Sequence, residues 1–279
     1  MIFLKGDNIM KRFLGLFLIL LTGCAGLFPS PGLSDRNPGS LTAMSYNIHT
    51  GKGSDGLFSL ERIVEDIQKA NADLVGIQEM DRFTKRNPMD QAALLERLSG
   101  FHILFAKNLD YQGGEYGIAV LSRFPIVEHR IFHYQTWEAR EPRGALAVKV
   151  QPFSNPLSRS VWFVTTHLGT DDTGEEQTEQ VKQLTDWLNA LPGDSSLIVS
   201  GDFNQRPDSR AVRFFSDRFA DLWTLKGIGK GYTYPATRPS SRIDYLFVKT
   251  GDLAECRDVT VMETIASDHR PVTARINVK

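Results

Sequence analysis

The chain has 279 residues, of which 41% are hydrophobic and 23% are charged. This is the composition of a globular protein and excludes a fibrous or largely disordered chain. The formal net charge of −1 excludes a global basic field that would collect nucleic acid, although a local basic groove stays open.

The N-terminal segment has the pattern of an export signal. Lys11 and Arg12 precede the apolar run FLGLFLILLTG, which is followed by Cys24. A short basic region before 7–15 apolar residues is typical of a secretory signal rather than of a membrane span. LTGC resembles the lipobox of bacterial lipoproteins, in which the cysteine is lipidated; the alternative is a chance cysteine after a signal peptide. Met10 is a candidate for the true start.

We therefore predict a lipoprotein signal peptide over residues 1–24 with lipobox Cys24, and a flexible tether rich in Pro, Gly and Ser over residues 25–40. The protein is expected to be exported and anchored to a bacterial membrane through lipidated Cys24. Ala25 after the cysteine favours the outer membrane. Cys256 is the one other cysteine, so this domain cannot rely on an internal disulfide.

Strand-like and helix-like segments alternate from residue 41 onward. Helices are predicted for SLERIVEDIQKA behind Ser59 as a cap, for QAALLERLS, and for residues 175–191. Nine segments have the pattern of strands: LTAMSYNI, DLVGIQE, HILFA, GIAVLS, ALAVKV, VWFVTTH, SLIVSG, RIDYLFV and VTARINV, with VTVME as a tenth. Roughly ten strands and three or four helices without an internal linker indicate one layered domain over residues 41–279.

The predicted strands repeatedly end in polar residues of a few types. Such ends carry Asn47, Glu79, His167, Asp202 with Asn204, Asp244, and Asp268 with His269. A single one has an ordinary explanation as a turn former or an exposed histidine, but six such ends indicate a site built on rigid strands. Carboxylates and amides without thiolates suit Mg²⁺ or Mn²⁺. The absence of a Walker loop, a Rossmann glycine fingerprint and a G-x-S-x-G elbow leaves metal-assisted phosphoester hydrolysis as the favoured chemistry.

Seven motifs in this order resemble the endonuclease/exonuclease/phosphatase superfamily, which includes deoxyribonucleases, exonuclease III-type nucleases, inositol polyphosphate 5-phosphatases and neutral sphingomyelinases. The motifs are SYNIH, GIQE, GIAVLSR, TTHL, GDFN, RIDYLFV and SDHRPV, and the match runs from Thr42 to Val272. The resemblance implies an α/β fold of four layers, in which two packed mixed β-sheets are flanked by helices.

The resemblance also implies roles for the residues near the metal and the attacking water. Glu79 matches the principal metal ligand, with Asn47 as a second contributor and Asp268 close to the metal. Asp202 is expected to position or deprotonate the water. Asn204 is expected to orient the phosphate or the same water.

On the phosphate side, His269 matches the histidine that contacts the scissile phosphate, and Asp244 is expected to hold its ring. His167 matches a histidine of the nuclease and sphingomyelinase branches, and Arg143 occupies the place of a phosphate clamp. The tyrosine of repair nucleases has no clear counterpart, and Tyr116 and Glu115 are both candidates.

The substrate remains open at the level of the sequence. The resemblance fits a phosphodiesterase of lipid headgroups or other small phosphoesters, an extracytoplasmic nuclease, a sugar or inositol phosphatase, or a binding module that kept the fold. The neutral charge weighs against nucleic acid. Residues 137–144 and 231–242 are expected to flank the cleft, where Trp137 or Tyr234 either stacks on a substrate or packs at the rim. A monomer is expected.

Overall fold

The computed structural model describes residues 40–135, 140–153 and 159–279. The predicted signal peptide with Cys24, residues 25–39 of the predicted tether, and Trp137 lie outside the described residues. The first strand begins at Ser40, which is the last residue of the predicted tether.

Twelve strands and five helices are present in the described residues. The strands are β1 Ser40–Asn47, β2 Leu74–Arg82, β3 His102–Tyr111, β4 Gly114–Ser122, β5 Ile126–His133, β6 Gly144–Val150, β7 Ser160–His167, β8 Ser195–Asp202, β9 Phe219–Asp221, β10 Asp244–Lys249, β11 Leu253–Val261 and β12 Val272–Val278. The helices are α1 Leu60–Lys69, α2 Gln91–Ser99, α3 Glu175–Asn189, α4 Arg210–Ser216 and α5 Leu222–Lys226, and a single 3₁₀ turn covers His49–Gly51.

The strands form two six-stranded sheets of mixed direction. The first sheet has the order β11-β12-β1-β2-β4-β3, and the second has the order β5-β6-β7-β8-β10-β9. In each sheet one central pair is parallel, β1 with β2 and β7 with β8, and the other pairs are antiparallel.

Three apolar clusters show how the layers pack. One cluster lies between the sheets and joins residues such as Ile118 and Val120 of β4 to Phe163 of β7. A second packs α3 and α4 on the outer face of the second sheet, and a third packs α1 and α2 on the first. This helix–sheet–sheet–helix arrangement confirms the predicted fold class. All three clusters lie within the compact unit Arg36–Lys279, so a chain that begins at Arg36 contains all three of them.

The helix starts follow from local capping. Ser59 Oγ accepts the Arg62 backbone N–H, and Asp90 Oδ1 accepts that of Ala93. Side-chain acceptors of this kind satisfy N–H groups that have no partner inside the helix. None of the described helices has the length and apolar character needed to cross a membrane.

The predicted number of elements is too small, because four segments have weak patterns. β5 is an edge strand whose eight residues are all at least partly exposed, so charged residues interrupt its apolar pattern. α4, β9 and α5 are three to seven residues long, which is too short for a clear helical or strand period. The long helix ends at Asn189 rather than at residue 191.

Candidate active site

A row of predicted site residues crosses one end of the second sheet. In the strand register Gly144 lies opposite His167, His167 opposite Asp202, and Asp202 opposite Asp244. Arg143 directly precedes Gly144 and joins the same row. The parallel pair of the first sheet brings Asn47 opposite Gln78, next to Glu79. The sheets thus present the predicted residues at neighbouring strand ends.

Asp202 is the centre of this cluster. The Asn47 amide donates from Nδ2 to Asp202 Oδ2 and to Glu79 Oε1, at 3.0 Å in both cases. The Asn204 backbone N–H donates to Asp202 Oδ1 at 2.8 Å. Burial, followed by the negative charge of Asp244, raises the pKa of Asp202 to about 7, although the His269 cation opposes this shift. One asparagine therefore connects a carboxylate of each sheet.

Asn47 holds the carboxylates through its amide nitrogen, and its oxygen is engaged elsewhere. Oδ1 of Asn47 accepts the His49 backbone N–H at 3.0 Å. The predicted contribution of Asn47 to a metal shell stays a prediction. The contacts of the structure give it the role of a donor that sets the positions of Glu79 and Asp202.

His269 and Asp244 form a buried pair. His269 Nδ1 lies 2.9 Å from Asp244 Oδ2, and His269 Nε2 lies 3.8 Å from Asp202 Oδ2. Burial alone lowers the pKa of His269, but the charges of Asp244, Asp202 and Asp268 and the hydrogen bond to Asp244 outweigh it and raise the pKa to about 10. The imidazolium form presents Nε2–H toward Asp202, where it can stabilise negative charge on a bound phosphoryl group.

His167 has the opposite charge state. Its Nδ1 lies 2.7 Å from Arg143 Nη1, its Nε2 lies 3.1 Å from Asn204 Nδ2, and Asp202 Oδ2 is 3.6 Å from Nε2. Burial, then the charges of Arg143 and His269, lower the pKa of His167 well below its ordinary value. The site therefore combines a neutral and a charged histidine, one on each side of Asp202.

Asp268 lies at the edge of the cluster, against the turn that follows β1. Asp268 Oδ1 is 3.6 Å from His49 Nδ1. The adjacent Ser267 donates from Oγ to the Asn47 carbonyl at 2.7 Å and accepts the His269 backbone N–H at 3.2 Å. Ser267 thereby ties the loop before β12 to the end of β1.

The structure distinguishes the two candidates for the tyrosine position. Tyr116 is buried, and its pKa is raised well above the ordinary value by burial and then by the Glu79 charge, while Arg143 opposes the shift. Tyr116 thus neighbours two site residues. Glu115 instead pairs with Arg82 Nη1 at 3.2 Å, so it belongs to a different cluster.

The sequence interpretation did not single out His49 and Asn108. His49 stands two residues after Asn47 in the SYNIH motif, and this position could have marked it as a site residue. Asn108 sits at a register shift in β3 and is buried without a hydrogen-bond partner for Nδ2 among the described residues. A Cβ added at Gly144 would lie 2.9 Å from Asn108 Oδ1, so Asn108 lies beside the Arg143 segment. The sequence feature that could have revealed Asn108 is its position as a polar residue within the strand segment FAKNLDY.

Several site residues have a backbone conformation that side chains rarely adopt. The φ angles are +59° at Glu79, +49° at Asn204, +45° at His49 and +54° at Thr50. Glu79 also lies at the register shift of β2 against β4, which redirects its side chain. Left-handed conformations at such residues cost about 1–3 kcal/mol each and occur often at functional sites.

The donor set fits a hard divalent cation. Asp202, Asp244 and His269 each offer a ligand atom within 4.8 Å of the other two, and Asp244 Oδ1 is buried without a hydrogen-bond partner among the described residues. A protonated His269 has no lone pair for a metal, however, and Asp244 Oδ2 is engaged by His269. Carboxylate oxygens such as those of Glu79 and Asp202 match the preference of Mg²⁺ or Mn²⁺.

A polar cleft of about 620 Å³ opens beside Asn204. Its lining is formed by Thr170, Asp171, Asp172, Asn204, Gln205, Arg206, Asp208, Ser209, Tyr234, Ser241 and Ile243. The Tyr234 ring lies 4.7 Å from the His269 ring, which places the predicted aromatic residue next to the site. Arg242, the first polar residue of RIDYLFV, instead pairs with Asp221 at 2.8 Å and lies outside this row.

Comparisons with known proteins give the family and the fold of the chain. A family model described as the endonuclease/exonuclease/phosphatase family matches residues 44–269. The uncharacterized protein YbhP of Escherichia coli K12 is 25% identical over 252 residues, which cover 86% of this chain and 97% of YbhP.

Two solved structures illustrate the shared fold. The mannosyl-6-phosphatase of Bacteroides thetaiotaomicron aligns with a TM-score of 0.71 and 20% identity over 85% of this chain and 99% of that one. The catalytic domain of human Nocturnin with a bound sulfate anion aligns with a TM-score of 0.69 and 21% identity over 88% of this chain and 95% of that one. Identities this low show the fold alone.

Proposed function

The chain belongs to the endonuclease/exonuclease/phosphatase family, and we propose that it is a Mg²⁺- or Mn²⁺-dependent hydrolase of phosphoester bonds. The observation that carries the proposal is the chain of contacts from Glu79 through Asn47 and Asp202 to His269 and Asp244. This chain brings acidic oxygens and an imidazolium together at one place. A phosphoester needs this combination for its metal and its oxygens.

In an in-line displacement at phosphorus, different residues of the cluster act on the metal, the water and the phosphate. Glu79 would hold the metal, with Asn47 and Asp268 close to it. When bound, the metal offsets negative charge on phosphoryl oxygens and favours ionisation of a nearby water.

The remaining residues act on the water and the phosphate. Asp202 orients the attacking water and accepts its proton, and Asn204 holds the phosphate or the same water. His269, kept in place by Asp244, donates toward the phosphoryl oxygens, while His167 and its neighbour Arg143 lie on the other side of Asp202. Loss of Asp202 or of His269 should lower the rate by about 10²–10³.

For the substrate we propose a phosphodiester of a lipid headgroup or of another small molecule. The cleft beside Asn204 is lined mainly by polar side chains, which suits a headgroup or a small polar leaving group. Asp171 pairs with Arg140 at 2.8 Å, but Asp172 and Asp208 form no ion pair among the described residues and make this lining unfavourable for a polyanionic nucleic acid. Export and an anchor at Cys24 remain part of the proposal, because they would place the enzyme at a membrane.

A sugar phosphatase is the second candidate. It is favoured by Tyr234, whose ring faces the cleft beside His269 and could stack on a sugar. A solved mannosyl-6-phosphatase has the same fold, so the fold itself is compatible with this substrate class.

A substrate panel tests these alternatives. Residues 36–279 would be assayed with Mg²⁺, Mn²⁺ or EDTA on bis-p-nitrophenyl phosphate, sphingomyelin, phosphatidylinositol phosphates, mannose 6-phosphate, RNA and plasmid DNA. We expect metal-dependent turnover of a lipid or small diester that is lost in Asp202→Ala. Turnover confined to nucleic acid, or to the sugar phosphate, would replace the favoured substrate class.

A further inference from the structure

Three loops expose large apolar side chains near the candidate active site. Leu57 and Phe58 lie in the loop before α1, Phe83 and Met89 in the loop between β2 and α2, and Ile265 in the loop before β12. These side chains are 51–65% exposed. Exposed apolar groups that gather in one region indicate a contact surface rather than the scattered apolar residues of an ordinary surface. We call these five residues the apolar rim.

Hydrogen bonds connect the three loops. Ser54 N–H donates to the Ile265 carbonyl at 3.0 Å, and Gly53 N–H donates to that of Leu57 at 2.9 Å. On the other side, Gln91 Nε2 donates to the Thr50 carbonyl at 2.5 Å. The Phe83 backbone N–H donates to the Met89 carbonyl, which ties the ends of the second loop. The loops therefore form one continuous border.

The border adjoins the catalytic cluster. The His49 ring, whose Nδ1 contacts the Lys52 carbonyl at 3.1 Å, also lies 3.6 Å from Asp268 Oδ1. Phe83 follows Glu79 at the end of β2, and Ile265 precedes Asp268 by three residues. A partner seated on the apolar rim would therefore lie on the side of the site where His49 meets Asp268.

The charges of the border favour an anionic partner. Among the residues that the structure describes, Lys52 and Lys85 form no ion pair. Two nearby carboxylates are neutralised, because Asp55 pairs with Arg62 at 2.7 Å and Asp81 with Arg86 at 2.6 Å. The exposed Glu61, in contrast, contacts Ser59 and has no ion pair among the described residues. Apolar side chains flanked by free lysines are the pattern of a protein that settles into the headgroup region of a bilayer.

We propose that the apolar rim inserts into the surface of an anionic lipid bilayer and delivers lipid-borne phosphoesters to the site. This proposal rests on the proposed hydrolase function and names the physical form of its substrate. The apolar side chains enter the boundary between headgroups and acyl chains, while Lys52 and Lys85 contact the lipid phosphates. For a phosphodiester, water adds to phosphorus and the bond between phosphorus and the alcohol oxygen breaks. The alcohol oxygen takes up a proton, and the products are a phosphomonoester and an alcohol.

Flotation with vesicles tests the rim independently of catalysis. Residues 36–279, which lack the lipobox cysteine, would be mixed with vesicles of phosphatidylcholine with and without phosphatidylglycerol. The Leu57→Ser/Phe58→Ser variant is compared with Val127→Ser/Ile131→Ser. Val127 and Ile131 are similarly exposed residues of edge strand β5, and Val127 lies near the end of that strand that is remote from Gly144.

We expect the wild type and the β5 variant to bind the anionic vesicles. The loop variant should bind about tenfold or more weakly, because two apolar side chains lose their transfer from water. Replacement of Lys52 and Lys85 by Gln should weaken binding only to vesicles that contain phosphatidylglycerol. No binding by the wild type, or equal losses in the loop and β5 variants, would overturn the proposal.

Hydrolysis of soluble bis-p-nitrophenyl phosphate separates this proposal from the proposed function. The loop variant should retain the wild-type rate on the soluble diester and lose rate only on vesicle substrates. An enzyme that binds vesicles through the rim but hydrolyses no phosphoester would refute the function and leave the docking surface standing. An enzyme that hydrolyses the soluble diester but does not bind vesicles through the rim would refute the docking surface alone.

Discussion

The negative charge of Asp244 both positions the His269 ring and favours its protonated form. Its Nδ1 contacts Asp244 at 2.9 Å, and its pKa is raised to about 10. A neutral amide at position 244 would keep the size of the side chain while removing the charge that favours the imidazolium.

Asp244→Asn should therefore lower kcat by about 10²–10³ with little loss of folded protein. The measurement is the initial rate on bis-p-nitrophenyl phosphate with saturating metal. The control is Asp186→Asn on the exposed side of α3, which should keep the wild-type rate. An Asp244→Asn enzyme with the wild-type rate would remove Asp244 from the mechanism.

Tyr116 offers a second test among single residues. Tyr116→Phe removes a hydroxyl next to Glu79 and Arg143, and the loss of a hydrogen bond to a charged group should reduce kcat/KM by about tenfold or more. Glu115→Gln, one position away, should have no such effect, because Glu115 pairs with Arg82. Equal effects of the two variants would show that Tyr116 is not a site residue.

Motif residues could be predicted from the sequence because each stands directly at the end of an apolar strand. Asp202, Asp244 and His269 belong to this class. The choice between Tyr116 and Glu115 depended on which face of β4 meets the site, and a register shift in β2 against β4 makes that face unreadable from alternation alone. Asn108 was missed for the same reason, since its strand also has a register shift.

At the scale of elements, Gly76 of β2 packs closely against the second sheet. A Cβ at this position would lie 2.0 Å from Ser200 Oγ and 2.7 Å from Thr165 Oγ1. Gln78, two residues along β2, donates to the same Thr165 hydroxyl at 2.8 Å. Small and polar residues therefore set the distance between the sheets near the site.

Gly76→Ala should destabilise the protein by about 1–3 kcal/mol or more, because a buried contact cannot accept another methyl group. The free energy of unfolding can be measured by urea denaturation. Gly193→Ala is the matched control, since an added Cβ there has no neighbour within 4 Å. Similar stabilities of the two variants would contradict the close packing at Gly76.

Elements with a clear helical or strand period of apolar residues could be predicted from the sequence, and elements without such a period could not. QAALLERLS matches the limits of α2 because its helical period and the Asp90 cap agree. β5 was not recognised from its residues, because it is an exposed edge strand in which Ile126 and Phe132 pack against the core clusters among charged and histidine residues. Its existence follows only from its pairing with β6.

At the scale of the whole molecule, a divalent metal should stabilise the folded chain by mass action. At a hundredfold excess over Kd the gain is about 2.7 kcal/mol, which corresponds to a rise of several degrees in Tm. Glu79→Gln should abolish most of the rise, whereas Asp186→Asn should keep it. Differential scanning fluorimetry with Mg²⁺ or Mn²⁺ gives the shift, and a rise of the same size in Glu79→Gln would exclude Glu79 as a ligand.

The tether predicted between Cys24 and β1 is long enough for the proposed lipid anchor and the apolar rim to contact the same membrane. β1 begins at Ser40 and carries Asn47 to the site, so the predicted tether joins the sheet about 23 Å from the site at ~3.3 Å per residue. The sixteen residues from Ala25 to Ser40 reach about 55 Å when fully extended. A lipidated Cys24 would therefore allow the site to face the membrane that holds the anchor.

The most direct test of the central claim is the rate of bis-p-nitrophenyl phosphate hydrolysis by residues 36–279 with Mg²⁺, Mn²⁺ or EDTA. Wild-type protein should show turnover that EDTA abolishes and added metal restores. Asp202→Ala and His269→Ala should each reduce it by about 10²–10³ while remaining folded. Turnover that survives EDTA, or that persists in both variants, would contradict a metal-dependent phosphoester hydrolase built on these residues.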